Sequence, residues 1–175
     1  EVVENTSDKK EIKLKYGENA NQESSYHLDD INNSLLKFQI SGRKIGYNNL
    51  LDLDAGLNCI NEFNEPTCVI IKHNNPCGVA SSNNIENAFK KAYQSDPLSA
   101  FGGVVLFNRK INKKLALLLS KKFIEILSAK GFEKNAFSIL SKKEKLIIID
   151  STNVQISEKK EMKRSGGTPK KILGG

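Results

Sequence analysis

Lys72 and His73 are the residues of this sequence whose types and setting most clearly permit chemistry. They follow the apolar, largely β-branched run Thr67–Ile71 and precede the turn-forming segment Asn74–Gly78. An imidazole titrates near neutral pH and can move a proton, while an ammonium group can stabilise negative charge. A short apolar run bounded by turn residues is typical of a buried strand. The pair is therefore predicted at the C-terminal end of that strand, where open α/β sheets tend to place ligands.

The elements that must position this pair alternate between strands and helices. Helical spacing of apolar residues predicts helices over about 47–63, 85–93, 113–120 and 133–141, and apolar runs predict further buried strands at 104–107 and 146–149. Pro76 and Gly78 are expected to end any regular structure after the first buried strand, and Ser95–Gly103 is expected to be a stop followed by a loop. This alternation predicts the α/β class, with a layered sheet and flanking helices.

Two polar residues in these elements leave alternatives open. Asn49 lies where the first helix begins and could accept the free amide hydrogens of its first turn, to which Asp52 would add negative charge. The segment Phe123–Leu127 fits either a continued helix or a strand, because a short apolar run is ambiguous. Glu125 lies in its middle, and a carboxylate on a buried strand needs a partner or a ligand.

Length and composition suit one domain of an intracellular protein. The chain has 175 residues, of which 38% are hydrophobic and 27% charged, and no apolar stretch is long enough to cross a bilayer. Its first residues have neither a signal-peptide pattern nor an initiator Met, so we expect the chain to begin inside a longer protein. Cys59, Cys68 and Cys77 match no common zinc pattern, and we interpret them as reduced thiols in a cytoplasmic protein.

The net charge of +7 raises the question of nucleic-acid binding. Residues 151–175 supply +4 of that charge, from six basic and two acidic side chains. Arginine, which reads guanine and phosphate with two hydrogen bonds, occurs only as Arg43, Arg109 and Arg164. We therefore favour a Lys-rich solvated surface, and expect neither nucleic acid nor membrane as a partner. A basic nucleic-acid-binding module or an inactive remnant is the alternative function.

Several motifs together resemble one enzyme family. Lys72–Gly78 is similar to the Lys-His-x-x-Pro-x-Gly signature of the AICAR transformylase domain of the PurH family of bifunctional purine biosynthesis proteins. Four other segments resemble motifs of that family and occur in the family's order: Leu14–Asn19, Tyr47–Asp52, Ser95–Gly103 and Gly131–Glu133. Five ordered motifs are far more specific than any one of them, and the resemblance covers about 14–150.

The resemblance implies formyl transfer in purine biosynthesis. Its members move a formyl group from 10-formyltetrahydrofolate to the amine of AICAR ribonucleotide, on the route to inosine monophosphate, with no metal in the chemistry. The implied fold is the first of two cytidine deaminase-like subdomains of a homodimer. The implied organisation is a lead-in from a missing preceding domain at 1–11, this subdomain at 12–150 and a polar basic tail at 151–175. Without the second subdomain, we expect the isolated chain to have little or no transformylase activity.

The resemblance also implies roles for single residues. His73 is the expected base that takes the proton of the attacking amine, and Lys72 the expected stabiliser of the oxyanion. The expected nucleotide-binding residues are Lys15, Tyr16, Asn49, Gly102 and Glu125. Lys15 would lie nearest the phosphate, where the family has Arg, and loss of the guanidinium fork favours weaker phosphate binding. Gly102 would present its backbone to the nucleotide, since a missing side chain permits close approach.

Overall fold

The fold is a six-stranded mixed sheet between two layers of helices. A computed structural model describes residues 11–13, 25–27 and 35–154. The strands are β1 (Glu11–Lys13), β2 (Ser25–His27), β3 (Gln39–Ser41), β4 (Thr67–Lys72), β5 (Asn75–Ser81), β6 (Val104–Phe107), β7 (Ile126–Ala129) and β8 (Ile147–Asp150). The helices are α1 (Tyr47–Ile60), α2 (Ile85–Ser95), α3 (Pro97–Ala100), α4 (Lys113–Ser120) and α5 (Lys134–Leu140), with a 3₁₀ turn at Leu35–Phe38. Strands β1 and β2 form a separate antiparallel pair, and the main sheet has the order β3-β8-β7-β6-β4-β5.

The two faces of the sheet each carry an apolar core, because side chains alternate along a strand. On β4, Cys68 and Ile70 face the core that α2, α4 and α5 cover, whereas Val69 and Ile71 face the core that α1 covers. The apolar stripe predicted for α1 is buried there. The predicted α/β class with a layered sheet and flanking helices is therefore confirmed.

Two local predictions were wrong, and one open alternative is settled. Pro76 and Gly78 do not end regular structure, because both lie within β5. That strand is at the sheet edge, where the missing N–H of proline is tolerated, and its register against β4 shifts between Ile70 and Ile71, which marks a bulge. The expected loop after Asp96 contains the short helix α3, with Asp96 accepting a hydrogen bond from the Ser99 amide at 2.9 Å. The segment Phe123–Leu127, for which the sequence left helix and strand open, enters a strand at Ile126.

Gly78 lies where α2 packs closely against β5. A Cβ at this position would be 2.2 Å from the carbonyl oxygen of Ala92, a backbone atom of α2. The missing side chain therefore allows the helix to pack directly on β5. The sequence pattern had attributed this glycine to a turn, whereas the close approach of two backbones explains it.

Ser128 carries a buried hydroxyl without a partner among the described residues. It is 1% exposed, and its Oγ makes no hydrogen bond. Because a buried hydroxyl without a partner carries a desolvation cost, we expect Ser128→Ala to raise the free energy of unfolding by about 1 kcal/mol in urea denaturation. Ser81→Ala is the matched control, since the Ser81 hydroxyl lies 2.6 Å from Thr67 Oγ1 and its loss should destabilise. Equal destabilisation by both substitutions would contradict the prediction.

Candidate active site

The predicted catalytic pair lies at one edge of the main sheet. Lys72 is the last residue of β4, as expected. Strand β4 is antiparallel to β6, and β6, β7 and β8 are mutually parallel. The C-terminal end of β4 is therefore beside the amino ends of the parallel strands, rather than at the carboxyl edge where open α/β sheets usually place ligands. The expectation of a carboxyl-edge site is corrected by this antiparallel pairing.

The ammonium group of Lys72 is fixed by the loop that precedes β6. Its Nζ donates hydrogen bonds to the carbonyl oxygens of Phe101 at 3.2 Å and Gly102 at 2.8 Å. An ammonium group has three donors, so within the described residues one N–H is left for another acceptor. Lys72 is half-buried, and this arrangement holds a positive charge at the surface in a defined position.

The loop that precedes β6 requires a glycine at position 102. Its φ is +67°, a conformation that side chains disfavour. A Cβ there would lie 2.9 Å from Phe123 Cε1 and 3.3 Å from Lys72 Nζ. Its amide donates to the Phe123 carbonyl at 3.0 Å. The absent side chain thus leaves room for the Lys72 ammonium, and the expected contact between the Gly102 backbone and a nucleotide stays a prediction.

Glu125 has partners within the protein. Its Oε2 accepts hydrogen bonds from Asn49 Nδ2 at 2.7 Å and from Arg43 Nη2 at 3.1 Å. The residue is half-buried and lies directly before β7, so it is not a carboxylate in the middle of a buried strand. Its amide donates to the Gly103 carbonyl at 3.1 Å, which ties it to the Lys72 loop. No described residue donates to Oε1, and that oxygen can accept a hydrogen bond from a ligand.

Asn49 does not cap α1. The N-cap residue is Gly46, without a side-chain cap hydrogen bond, and the Asn49 amide group instead donates to Glu125. The capping alternative is therefore wrong. Asp52 likewise lies beyond the first turn of α1, so the negative charge predicted for that turn is absent.

His73 occupies a strained and exposed turn. His73 and Asn74 connect β4 to β5, with φ values of +50° and +62°. Positive φ at both central residues is the pattern of the tight hairpin turn that suits the twist of the strands. The Asn74 amide donates to Asp52 Oδ1 at 2.7 Å, and Asn75 Nδ2 donates to the His73 carbonyl at 3.0 Å. The imidazole is thus presented to solvent directly after Lys72.

Sequence reasoning missed Arg43 and an aromatic pair. Arg43 forms the ion pair with Glu125, and its signal was the rarity of Arg in a Lys-rich chain. Phe101 and Phe123 have ring centroids 4.9 Å apart and are 61% and 46% exposed. Because Phe101 and Gly102 supply the carbonyls that hold Lys72, this pair borders the site with apolar surface.

Two of the predicted nucleotide-binding residues cannot be placed in the site. Lys15 and Tyr16 lie outside the described residues.

The described residues also bear on metal and membrane binding. In the described ranges, no three His, Cys, Asp or Glu side chains converge as they would around a metal ion. Burial raises the pKa of the Cys68 thiol well above its usual value, which keeps it protonated. None of the helices within those ranges is long and apolar enough to span a membrane.

Comparisons with known proteins point to one family. The model of the AICARFT/IMPCHase bienzyme family matches residues 2–169. The bifunctional purine biosynthesis protein PurH of Fusobacterium nucleatum is 41% identical over 165 residues, covering 93% of this chain and 33% of that protein. Its namesake from Caldicellulosiruptor saccharolyticus is 47% identical over 152 residues, covering 81% of this chain and 30% of that protein.

The chain spans about a third of the length of these curated relatives. Among solved structures, a protein described as a putative formate dehydrogenase accessory protein from Desulfotalea psychrophila aligns with a TM-score of 0.42 and 13% identity. The alignment covers 47% of this chain and 39% of the Desulfotalea protein. This similarity is too low to support a functional comparison.

Proposed function

Because this chain belongs to the AICARFT/IMPCHase bienzyme family, we propose that it supplies part of a formyl-transfer site in purine biosynthesis. The proposed reaction moves the formyl group of 10-formyltetrahydrofolate to the amine of AICAR ribonucleotide. In this proposal the full-length protein performs the reaction. The curated relatives are about three times as long as the part that this chain matches. Folate, the nucleotide and a second copy of the protein are its proposed partners.

One observation carries this proposal. Four of the residues to which the family resemblance assigns roles come from separate parts of the chain and meet at one sheet edge. Lys72 Nζ lies 2.8 Å from the Gly102 carbonyl oxygen, and Asn49 Nδ2 lies 2.7 Å from Glu125 Oε2. The hydrogen bond between the Glu125 amide and the Gly103 carbonyl joins the two pairs. Convergence of this kind supports a shared binding and catalytic role.

The proposed chemistry uses the two residues at the end of β4. The amine of AICAR is a weak nucleophile, and it must lose a proton as its nitrogen bonds to the formyl carbon. His73 takes that proton and returns it to the folate nitrogen when the carbon–nitrogen bond to folate breaks. The formyl oxygen carries negative charge in between, and the N–H of Lys72 that no described residue accepts can stabilise it.

The proposed nucleotide site surrounds this pair. Glu125 Oε1 can accept a hydrogen bond from a hydroxyl or amine of the nucleotide, while Asn49 and Arg43 hold the other carboxylate oxygen. Lys15 and Tyr16 are proposed to contact the same ligand, with Lys15 at its phosphate. A carboxylate held on one oxygen has little orientational entropy to lose when the ligand binds.

Nucleotide binding is the direct test of the proposal. In a thermal-shift assay on the full-length protein, AICAR ribonucleotide is expected to raise the melting temperature, and Lys15→Ala is expected to reduce that rise because the phosphate loses a cation. The control is Lys13→Ala. Lys13 precedes Lys15 by two residues and is the last residue of β1, and this variant should behave like the unmodified protein.

The alternative function gives a different pattern. A basic nucleic-acid-binding module would show no shift with the nucleotide but would bind RNA or DNA in a salt-dependent manner. Deleting residues 151–175 would abolish that binding. This result, with no thermal shift in the full-length protein, would contradict formyl transfer.

A further inference from the structure

We infer that Asp52 is a positioning residue for His73, acting through the backbone of the hairpin turn between β4 and β5. The inference rests on the proposed function, because it assumes that His73 moves a proton during formyl transfer. Asp52 itself belongs to α1, and the contact that carries its effect is the hydrogen bond from the Asn74 amide to Asp52 Oδ1 at 2.7 Å.

The turn needs external support because of its residue types. Two-residue hairpin turns with positive φ at both central positions favour Asn-Gly, Asp-Gly or Gly-Gly sequences. Here the positions are His73 and Asn74, with φ of +50° and +62°. Side chains at such positions cost on the order of 1 kcal/mol each. The strain persists only where neighbouring contacts impose the conformation.

Asp52 is well placed to impose it. The residue is half-buried, and its neighbours Leu50 and Leu53 are 5% and 0% exposed in the core beneath the sheet. Helix α1 therefore cannot shift freely relative to β4. A carboxylate that accepts from a backbone amide makes a stronger bond than a neutral acceptor. The side chain thus joins the turn to a rigid element rather than to another loop.

The geometry of the turn decides where the imidazole points. His73 follows Lys72 directly, and Lys72 is held in place by the carbonyls of Phe101 and Gly102. The backbone conformation at His73 therefore sets the direction of the base relative to the ammonium group. Catalytic groups misplaced by about 1 Å can lose about 100-fold in rate. Loosening the turn should consequently lower kcat more than it weakens nucleotide binding.

The test uses steady-state kinetics of the full-length protein. Asp52→Ala is expected to lower kcat by about 10- to 100-fold, while KM for AICAR ribonucleotide changes by less than about threefold, since no ligand contact is removed. Asp52→Asn keeps an acceptor oxygen and should retain kcat within about fivefold. Asp54→Ala is the matched control on the same helix, because Asp54 is exposed and, among the described residues, its carboxylate accepts a hydrogen bond only from Asn58. Its kinetics should be unchanged.

A second substitution separates positioning from general destabilisation. Asn74→Gly removes the cost of positive φ, so the double variant with Asp52→Ala should recover part of the lost kcat. Should Asp52→Ala fail to fold, the double variant is compared with Asn74→Gly alone, and about a fivefold lower kcat is expected. Equal kcat in that pair, or equal kcat in Asp52→Ala and the unmodified protein, overturns the inference.

Failure of the inference is distinct from failure of the proposed function. If His73→Ala lowers kcat and Asp52→Ala does not, the positioning role is wrong and the role of His73 stands. If His73→Ala leaves kcat unchanged, the proposed proton transfer by His73 is itself wrong, and the positioning role falls with it.

Discussion

Replacing Lys72 by Met in the full-length protein is expected to lower kcat for formyl transfer by about 10²- to 10³-fold, the range found when one oxyanion donor is removed. Met keeps much of the length of the side chain but removes the charge and all three donors. The carbonyls of Phe101 and Gly102 would also lose their shared donor, which adds disorder to the loop before β6. Steady-state kinetics with both substrates measure the effect.

The control for Lys72→Met is Lys130→Met. Lys130 is exposed and directly follows β7, so it lies at the carboxyl ends of the parallel strands, opposite to Lys72. It should leave kcat and KM unchanged. A melting temperature for each variant separates loss of chemistry from loss of folded protein. If Lys72→Met retains kcat within about threefold, a difference of less than 1 kcal/mol in transition-state stabilisation, the ammonium group has no role in the rate-limiting chemistry.

Substituting Gly78 by Ala is expected to cause a large loss of stability, because the added methyl group would meet the backbone of α2. The added Cβ would lie 2.2 Å from the carbonyl oxygen and 2.9 Å from the carbonyl carbon of Ala92. These are backbone atoms of α2, so no side chain can rotate away. Either α2 or the edge strand β5 must shift, and overpacking of this kind costs about 1–3 kcal/mol or more; we expect a value at the upper end.

Urea denaturation measures this loss, and Gly46→Ala serves as its control. Gly46 precedes α1 with φ of −97°, and the nearest atom to an added Cβ there is Asn49 Oδ1 at 3.6 Å. That substitution should change the free energy of unfolding by less than about 1 kcal/mol, because Ala is a poorer N-cap than Gly but stabilises by about 0.4–1 kcal/mol through the lower entropy of the unfolded chain, and the two effects oppose each other. Equal unfolding midpoints for Gly78→Ala and Gly46→Ala would contradict the close-packing argument.

The features that the sequence predicted well are those set by short-range periodicity. The apolar spacing in α1 and α2 and the apolar runs of β4 and β6 are local patterns, and burial of one face follows from them directly. Asn84 also caps α2 as its residue type indicates, accepting from the Asn87 amide at 2.8 Å. In these elements the local pattern and the observed structure agree because the deciding neighbours lie within a few residues.

The features that could not be predicted depend on distant partners. Asn49 was equally compatible with a helix cap because nothing near it in the sequence indicates Glu125, 76 residues later. The position of Pro76 within a strand depends on β5 being a sheet edge, which only the complete strand order determines. The family motifs indicated which residues belong to the site, but they did not indicate which side chains form hydrogen bonds with each other.

The strand order has a consequence for how this chain folds. Strands β4 and β5 are joined by two residues, so the hairpin with Lys72 and His73 can form early from local contacts. Strand β3 instead pairs with β8, joining residue 39 to residue 149, and closing such a long loop has a high entropic cost. Arg43 lies two residues after the end of β3, so its pairing with Glu125 is expected in the last phase of refolding. The turn that carries the proposed base would then be formed before the carboxylate of the proposed nucleotide site is fixed.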